Sequence, residues 1–464
     1  ILDFGFVTSF NSNFFVGSGV KQLNPVPMKR AVPLLAILTL AAVFALVATS
    51  CTDTCTVRTS YTYFEPVYAT SAEVKAAVKL EAPRVMEHPG KIYFKDGFLF
   101  ITERDKGIHI IDNRNSKNPV ALSFLAIPGT IDLAIRGNFL YADSFVDLAV
   151  FDVSDVQNIK EVNRLEGVFD NVSWMGMSSA TARGIITNWA AVEHVSLSEG
   201  DCDLRMETWG GMFYRGGILL SDAAAMQFNT RSFAAAPVTA GPTTGIGGSM
   251  ARFTIAGGYL YALDGANLEV INISQPTRPV STREMQVAWD IETIFPAEKR
   301  VYIGSQTGMY IYDLENPEQP ALLSKYEHVR SCDPVVVDGN YAYVTLRNGN
   351  ICAGFTNQLE VIDIENPRAP KLLHIYPMTN PHGLGIDQGT LFICDGAAGL
   401  KVYDATNIAR IGERMLAHYD QIQAFDVIPF QNVAMMIGAD GLYQYNYADP
   451  KNIFLLSQMP IKAQ

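Results

Sequence analysis

Histidine is scarce in this chain: seven among 464 residues, none in paired spacing. That scarcity speaks against a zinc enzyme, which gathers several such ligands at short spacing. The six cysteines form no CxxC pair and no Cys/His cluster, and Cys51 and Cys55 have no histidine nearby. A structural zinc site is not expected either. GxSxG, HExxH, GxxxxGK[ST] and the EF-hand loop are all missing, so the commonest hydrolase, metalloprotease, phosphate and calcium patterns do not apply. Excess positive charge is missing too. The formal net charge is -12; residues 1–50 carry Asp3 against Lys21, Lys29 and Arg30, a net of +2, so the remainder carries -14. An acidic body of this kind excludes nucleic acid and anionic lipid as natural partners.

What is present is a repeat. An apolar-x-apolar-apolar-Asp/Asn phrase returns eight times, beginning at Ile108, Leu148, Val192, Leu268, Met309, Leu359, Leu400 and Leu442. The clearest copies are LEVIDIENPRAP, MYIYDLENPEQP and LEVINISQPTRP; the copy at Val192, VEHVSLS, is degenerate. Most steps are 40–44 residues; one is 76 and one is 50. Within each unit the apolar runs are short and rich in Val, Ile, Tyr and Phe, and Gly, Asn, Asp or Pro bounds them. Such runs suit strands and are too short for stable helices. A four-stranded unit repeating every 40 or so residues predicts an all-β chain, a β-propeller of eight blades of four antiparallel strands. Seven blades follow if the Val192 unit is only part of an insertion. The long steps place insertions at about 200–247 and 347–355. Aromatics gather near the first, at Trp174, Trp189, Trp209, Phe213 and Tyr214.

The N-terminal part reads differently. Met28-Lys29-Arg30 precedes a nearly wholly apolar stretch, 31–49, and Ser50-Cys51 follows. This is the pattern of an export signal. Ala48-Thr49-Ser50-Cys51 resembles the lipobox of bacterial lipoproteins, which implies lipidation of Cys51 and a mature chain starting there; a single transmembrane anchor is the other reading. The resulting division is 1–27 as an upstream non-structural segment, 28–50 as a lipoprotein signal peptide, 51–82 as a tether and 83–464 as the propeller. The membrane would be met only through the N-terminal lipid, at a bacterial cell envelope, with the outer membrane or cell surface favoured. Export permits disulfides, and Cys332 with Cys352, in one repeat, are the best pair; two buried free thiols are the alternative.

The LEVIDIENPRAP phrase and its companions resemble the LVIVD repeat family of bacterial surface proteins, over roughly residues 90–460. The resemblance implies export and a propeller and no settled activity. The Asp-box of sialidases and the Trp-bearing repeats of quinone-dependent dehydrogenases are not seen.

Aligning the units on their second-strand turns brings Asp132, Arg252 and Asp426 to one matched position ahead of successive first strands. Asp170 and Asp290 reach it with longer hairpins, Asp333 is one residue off and His382 two; the first repeat offers His88 and Lys91. First strands line the channel of a propeller, so these groups are expected at one channel mouth. Gathered carboxylates require a cation, Arg252 or protons, and calcium is the metal such an oxygen-rich ring suits. Alternatively each Asp caps its own turn. The function expected is a non-enzymatic binding or scaffold protein for a glycan or protein ligand. The alternative is a polysaccharide hydrolase or lyase using paired Asp at the mouth; a purely structural envelope scaffold is a third.

Overall fold

The structure is a computed structural model, which describes residues 54–169, 180–201, 218–220, 244–329, 331, 334–348 and 356–461. The chain divides into two compact bodies, one of Ile1–Ser60 with Val195–Gly210, the other of Tyr61–His194 with Gly211–Gln464. In the first, the described residues belong to the strands Thr54–Ala69 and Gly184–Asp201.

The second body holds a β-propeller of seven blades, at 89–126, 133–165, 253–286, 291–327, 335–377, 384–419 and 424–460. Each is a sheet of four consecutive antiparallel strands. The first strands pack side by side from blade 1 to blade 7, and the first strand of blade 7 packs on that of blade 1. The ring is closed, and each first strand is a short inner edge of its own sheet, that of blade 1 covered by residues 246–247.

The expected eight blades are thus corrected to seven, the alternative count. The phrase at Val192 lies in Gly184–Asp201, whose hairpin partner is the short strand Ala180–Thr181. The physical reason is burial. The third strand of blade 2, Asp147–Asp152, is buried at five of six positions, whereas Glu193, His194, Val195 and Leu197 are exposed. An alternating apolar pattern with no buried face does not make the middle of a blade.

The repeat phrase has a local cause in every true blade. Its Asp or Asn ends the third strand and accepts the backbone N–H two residues on: Asp313 from Glu315 at 2.8 Å and Asp363 from Glu365 at 2.9 Å, with the same turn at Asp112, Asp152, Asn272, Asp404 and Asn446. This is the side-chain turn that Asx residues favour. A one-residue bulge then interrupts every third-to-fourth strand pair, which increases local twist. The turn's carbonyls face the preceding blade. Tyr141 donates to Pro276 O at 3.1 Å, Tyr261 to Pro317 O at 2.7 Å and Ser324 to Pro367 O at 2.6 Å. Blade 7 closes on blade 1 the same way, Ser457 donating to Ser116 O at 2.6 Å, and Asn113 and Gln444 exchange amide hydrogen bonds at 2.9 and 2.7 Å. The motif therefore stitches neighbours as well as turning the chain.

The stretch expected as a tether holds the strand Thr54–Ala69, a helix Ser71–Ala76 with a Thr70/Glu73 capping box, and Lys79–Glu81, which adds a fifth strand outside blade 1. Of the two expected insertions, 202–217, 221–243 and 349–355 lie outside the described residues, as do Trp174, Trp209, Phe213, Tyr214, Cys332 and Cys352, so the disulfide has no counterpart to report. Cys394, in the second strand of blade 6, is a buried free thiol.

Candidate functional site

Each first strand begins at one mouth of the channel, here the upper, and ends in a tight hairpin at the lower. The stretch before blade 3 occupies the channel itself. Thr244 bridges Arg136 at the lower end of blade 2, and Ile246 and Gly247 pair antiparallel with Phe94 and Tyr93. Gly248 then donates to Ile92 O at 3.3 Å, and Ala251 O accepts from Ile294 at 2.8 Å. Leu384 donates to Ser249 Oγ at 2.8 Å. Residues 244–252 are therefore a plug that climbs through the ring from lower to upper mouth and touches blades 1, 2, 4 and 6. Its glycines fit close backbone approach. A Cβ on Gly245 would lie 2.2 Å from Tyr93 Cε1; one on Gly383, in the facing wall, would lie 2.5 Å from Asp426 Oδ1 and 2.9 Å from Ser249 Oγ.

The plug explains the upper-mouth carboxylates. Asp132 is 2% exposed. Its Oδ2 accepts Arg252 N at 2.5 Å and Phe253 N at 3.1 Å, and its Oδ1 accepts Leu133 N at 2.8 Å. Asp426, fully buried, accepts Ser249 N at 3.4 Å. Between them, on blade 1, Lys91 donates its ammonium to Met250 O. Burial pushes Asp426 up to about 8 and Lys91 down to about 8. Burial also raises Asp132, with Lys91 opposing it. The cation that the gathered carboxylates require is thus Lys91. In the sequence it stands in the first repeat, outside the matched position.

Arg252 reaches the same region, but its guanidinium donates to Leu263 O at 2.7 Å. Asp290 and His382 are buried on blades 4 and 6, with both Asp290 carboxylate oxygens and His382 Nδ1 lacking a hydrogen-bond partner among the described residues. Burial, then the charge of Arg347, lowers His382 to about 3, so it is a neutral imidazole. His88 is exposed. Asp170 and Asp333 lie outside the described residues. Of the aligned carboxylates Asp132 takes a local backbone N–H, that of Leu133. Asp143 and Asp395, at the ends of second strands, accept from the chain entering their first strands, Asp143 from Ile131 N at 2.8 Å and Asp132 N at 3.0 Å and Asp395 from Asn380 N at 2.7 Å. No cluster of three His, Cys, Asp or Glu suited to a metal ion occurs among the described residues.

The lower mouth is the opposite. A cavity of about 1060 Å³ opens there, with the plug residue Ile246 in its lining. The first strands of blades 1, 4, 5, 6 and 7 supply walls such as Phe94, Phe295, Val337, Ile386 and Phe430. The Phe94 and Phe430 rings lie 5.3 Å apart, tilted by 47°. The hairpins around it carry the polar groups, with left-handed backbone at Asp96, Gly97, Glu298, Gly339, Gln388 and Gln431. Beside the plug, by contrast, are spaces of only about 20 Å³ and about 10 Å³. Sequence reasoning did not find this cavity. Its signal is TIFPAE and VIPFQN, where an aromatic and a proline sit together at the hairpin end of a first strand.

Three stretches of the chain, 129–166, 247–285 and 330–378, match the LVIVD repeat. They cover blade 2, the upper half of the plug with blade 3, and blade 5. No curated protein sequence matches the chain. Among solved structures it is similar to Saccharomyces cerevisiae Sqt1, at 9% identity over 86% of this chain and 90% of that one, TM-score 0.46. It is similar also to BamB from Moraxella catarrhalis, at 8% identity over 84% and 97%, TM-score 0.42. The computationally designed Ika8 protein gives 9% identity over 82% and 92%, TM-score 0.45. The chain carries LVIVD repeats, built into a seven-bladed β-propeller.

Proposed function

We propose that this protein is a non-catalytic binding scaffold, which presents the lower channel mouth to a protein or glycan ligand at a bacterial cell envelope. The observation that carries the reading is the cavity of about 1060 Å³, walled by five blades and rimmed by polar hairpins. A concave recess that sets apolar walls beside converging polar groups is a common form of ligand site. The upper-mouth carboxylates Asp132 and Asp426 support it in the negative: they hold the plug, so they are not displayed as a paired acid and base.

Envelope location and lipid anchoring rest on the 28–51 sequence alone. Cys51→Ser should leave an uncleaved or soluble form, seen by detergent partition. Unchanged partition with the leader attached supports a transmembrane anchor instead.

The binding role is tested by probing glycan and peptide arrays with the full chain and with two variants that narrow the mouth, Val337→Trp and Val433→Trp. Ligands of the native chain should be lost from both variants while their thermal unfolding stays cooperative. Undiminished binding by both, or cleavage of an arrayed glycan, overturns the reading.

A further inference from the structure

We propose that the lower mouth receives a protein segment in which a lysine or arginine stands beside an aromatic or large aliphatic residue. The inference rests on the binding reading above and adds the chemistry of the partner.

The charges around the cavity decide it. Three cations line the mouth, and each is already paired. Lys95 is bound by Asp96. Arg114 makes a two-point contact with Asp112, at 2.9 and 2.5 Å. Arg300 meets Glu298 at 3.1 Å. An anionic ligand would have to break one of these pairs. The anions are not matched in the same way. Asp338 and Asp387 end the first strands of the adjacent blades 5 and 6, and both line the cavity. Neither makes an ion pair with any described residue. Asp387 accepts only neutral donors, chiefly the Tyr447 hydroxyl at 2.7 Å. Partial desolvation in the cavity wall, although the residue is solvent-exposed, and then the charge of Asp387 raise the Asp338 carboxyl above its usual range. An arriving cation would relieve that repulsion.

The floor adds the second half. Phe94, Phe430, Phe295 and Ile246 form an apolar surface next to these carboxylates. A side chain with an apolar body fits it, and an aromatic floor also attracts a cation. Arginine next to an aromatic residue combines both features, and these are the residue types that dominate binding at protein interfaces. A neutral glycan would satisfy the rings and leave the carboxylate pair uncompensated.

The test uses the full chain and a fluorescein-labelled Gly-Ser-Arg-Phe-Phe-Arg-Ser-Gly peptide, read by anisotropy. Controls exchange both arginines for glutamate or both phenylalanines for serine, and maltohexaose is titrated as a neutral glycan. The Arg/Phe peptide should bind, with affinity falling as salt rises. Both control peptides and the Asp338→Asn/Asp387→Asn variant should bind at least about tenfold more weakly, a difference of about 1.4 kcal/mol. Equal binding of the glutamate peptide, an unchanged affinity in the double variant, or no peptide binding at about 1 mM, a range where ΔG is only about -4 kcal/mol, overturns the proposal. Maltohexaose binding blocked by Val337→Trp, without peptide binding, overturns it while leaving the scaffold reading standing.

Discussion

The two mouths of one channel solve opposite problems with the same strands. At the upper mouth the first strands bring Lys91, Asp132 and Asp426 together, and the plug consumes their hydrogen-bonding capacity. At the lower mouth the same strands end in Phe94, Ile386 and Phe430 around open space. Polar residues converging in a channel therefore need not mark its binding site. Here they secure a segment of the chain's own backbone, and the open volume lies at the other end, between aromatic rings and polar hairpins.

That contrast makes stability depend on the upper mouth and recognition on the lower. Replacing Asp132 with Leu should give the largest effect. It leaves three backbone N–H groups and the buried Lys91 ammonium without their carboxylate, at a cost of about 3–5 kcal/mol, measured by urea unfolding. Gly245→Val should cost about 1–3 kcal/mol by overpacking against Tyr93, and hydrogen exchange should rise across 244–252 before it rises in the blades. Loss of stability without faster exchange in the plug would break the assignment of a separate anchoring role.

The pH response should follow the same anchor. The folded chain holds the Asp426 proton up to about 8, whereas the ordinary carboxyl loses it near 3.8. Unfolding between these values releases a proton, so this contribution is full below about pH 4 and is lost as pH rises toward about 8. Lys91 acts in the next window: its folded value of about 8 lies below the ordinary 10.5, so stability recovers as pH rises between the two. Burial also raises Asp143 and Glu269 to about 7, so Asp426→Asn should make the falling limb between about pH 5 and 8 in unfolding experiments shallower by the share of one proton and end it nearer about pH 7. A limb of the same slope in the variant would remove Asp426 from the account. The smallest effect belongs to the lower mouth. Asp338→Asn, at an exposed hairpin, should change stability by no more than about 0.5 kcal/mol while weakening peptide binding. A large stability loss there would erase the division of labour between the mouths.

The candidate site was partly legible. Asp132, Arg252 and Asp426 could be aligned because each sits at a fixed distance before a hairpin, with Asp290 and His382 displaced from it, and the structure places Asp132 and Asp426 about one channel end. Their role was not legible, because Ser249 and Met250, which meet Asp426 and Lys91, arrive from a stretch that has no repeat register. The Val192 phrase misled for a related reason: it has the apolar spacing of a third strand, and spacing does not show whether a second sheet will cover it.

The sequence by itself determined the blade. Strand lengths, the Asx turn at Asp313 or Asp363 and the proline that follows are set by interactions within a few residues, and such interactions recur whenever the phrase recurs. Only the tertiary structure decided the number of blades, the path of 244–252 and which mouth stays open. Those depend on contacts such as Lys91 with Met250, separated by 159 residues, and on closure of the first strand of blade 7 against that of blade 1. Ring closure is a global condition on how each blade's twist accumulates, and no single repeat encodes it.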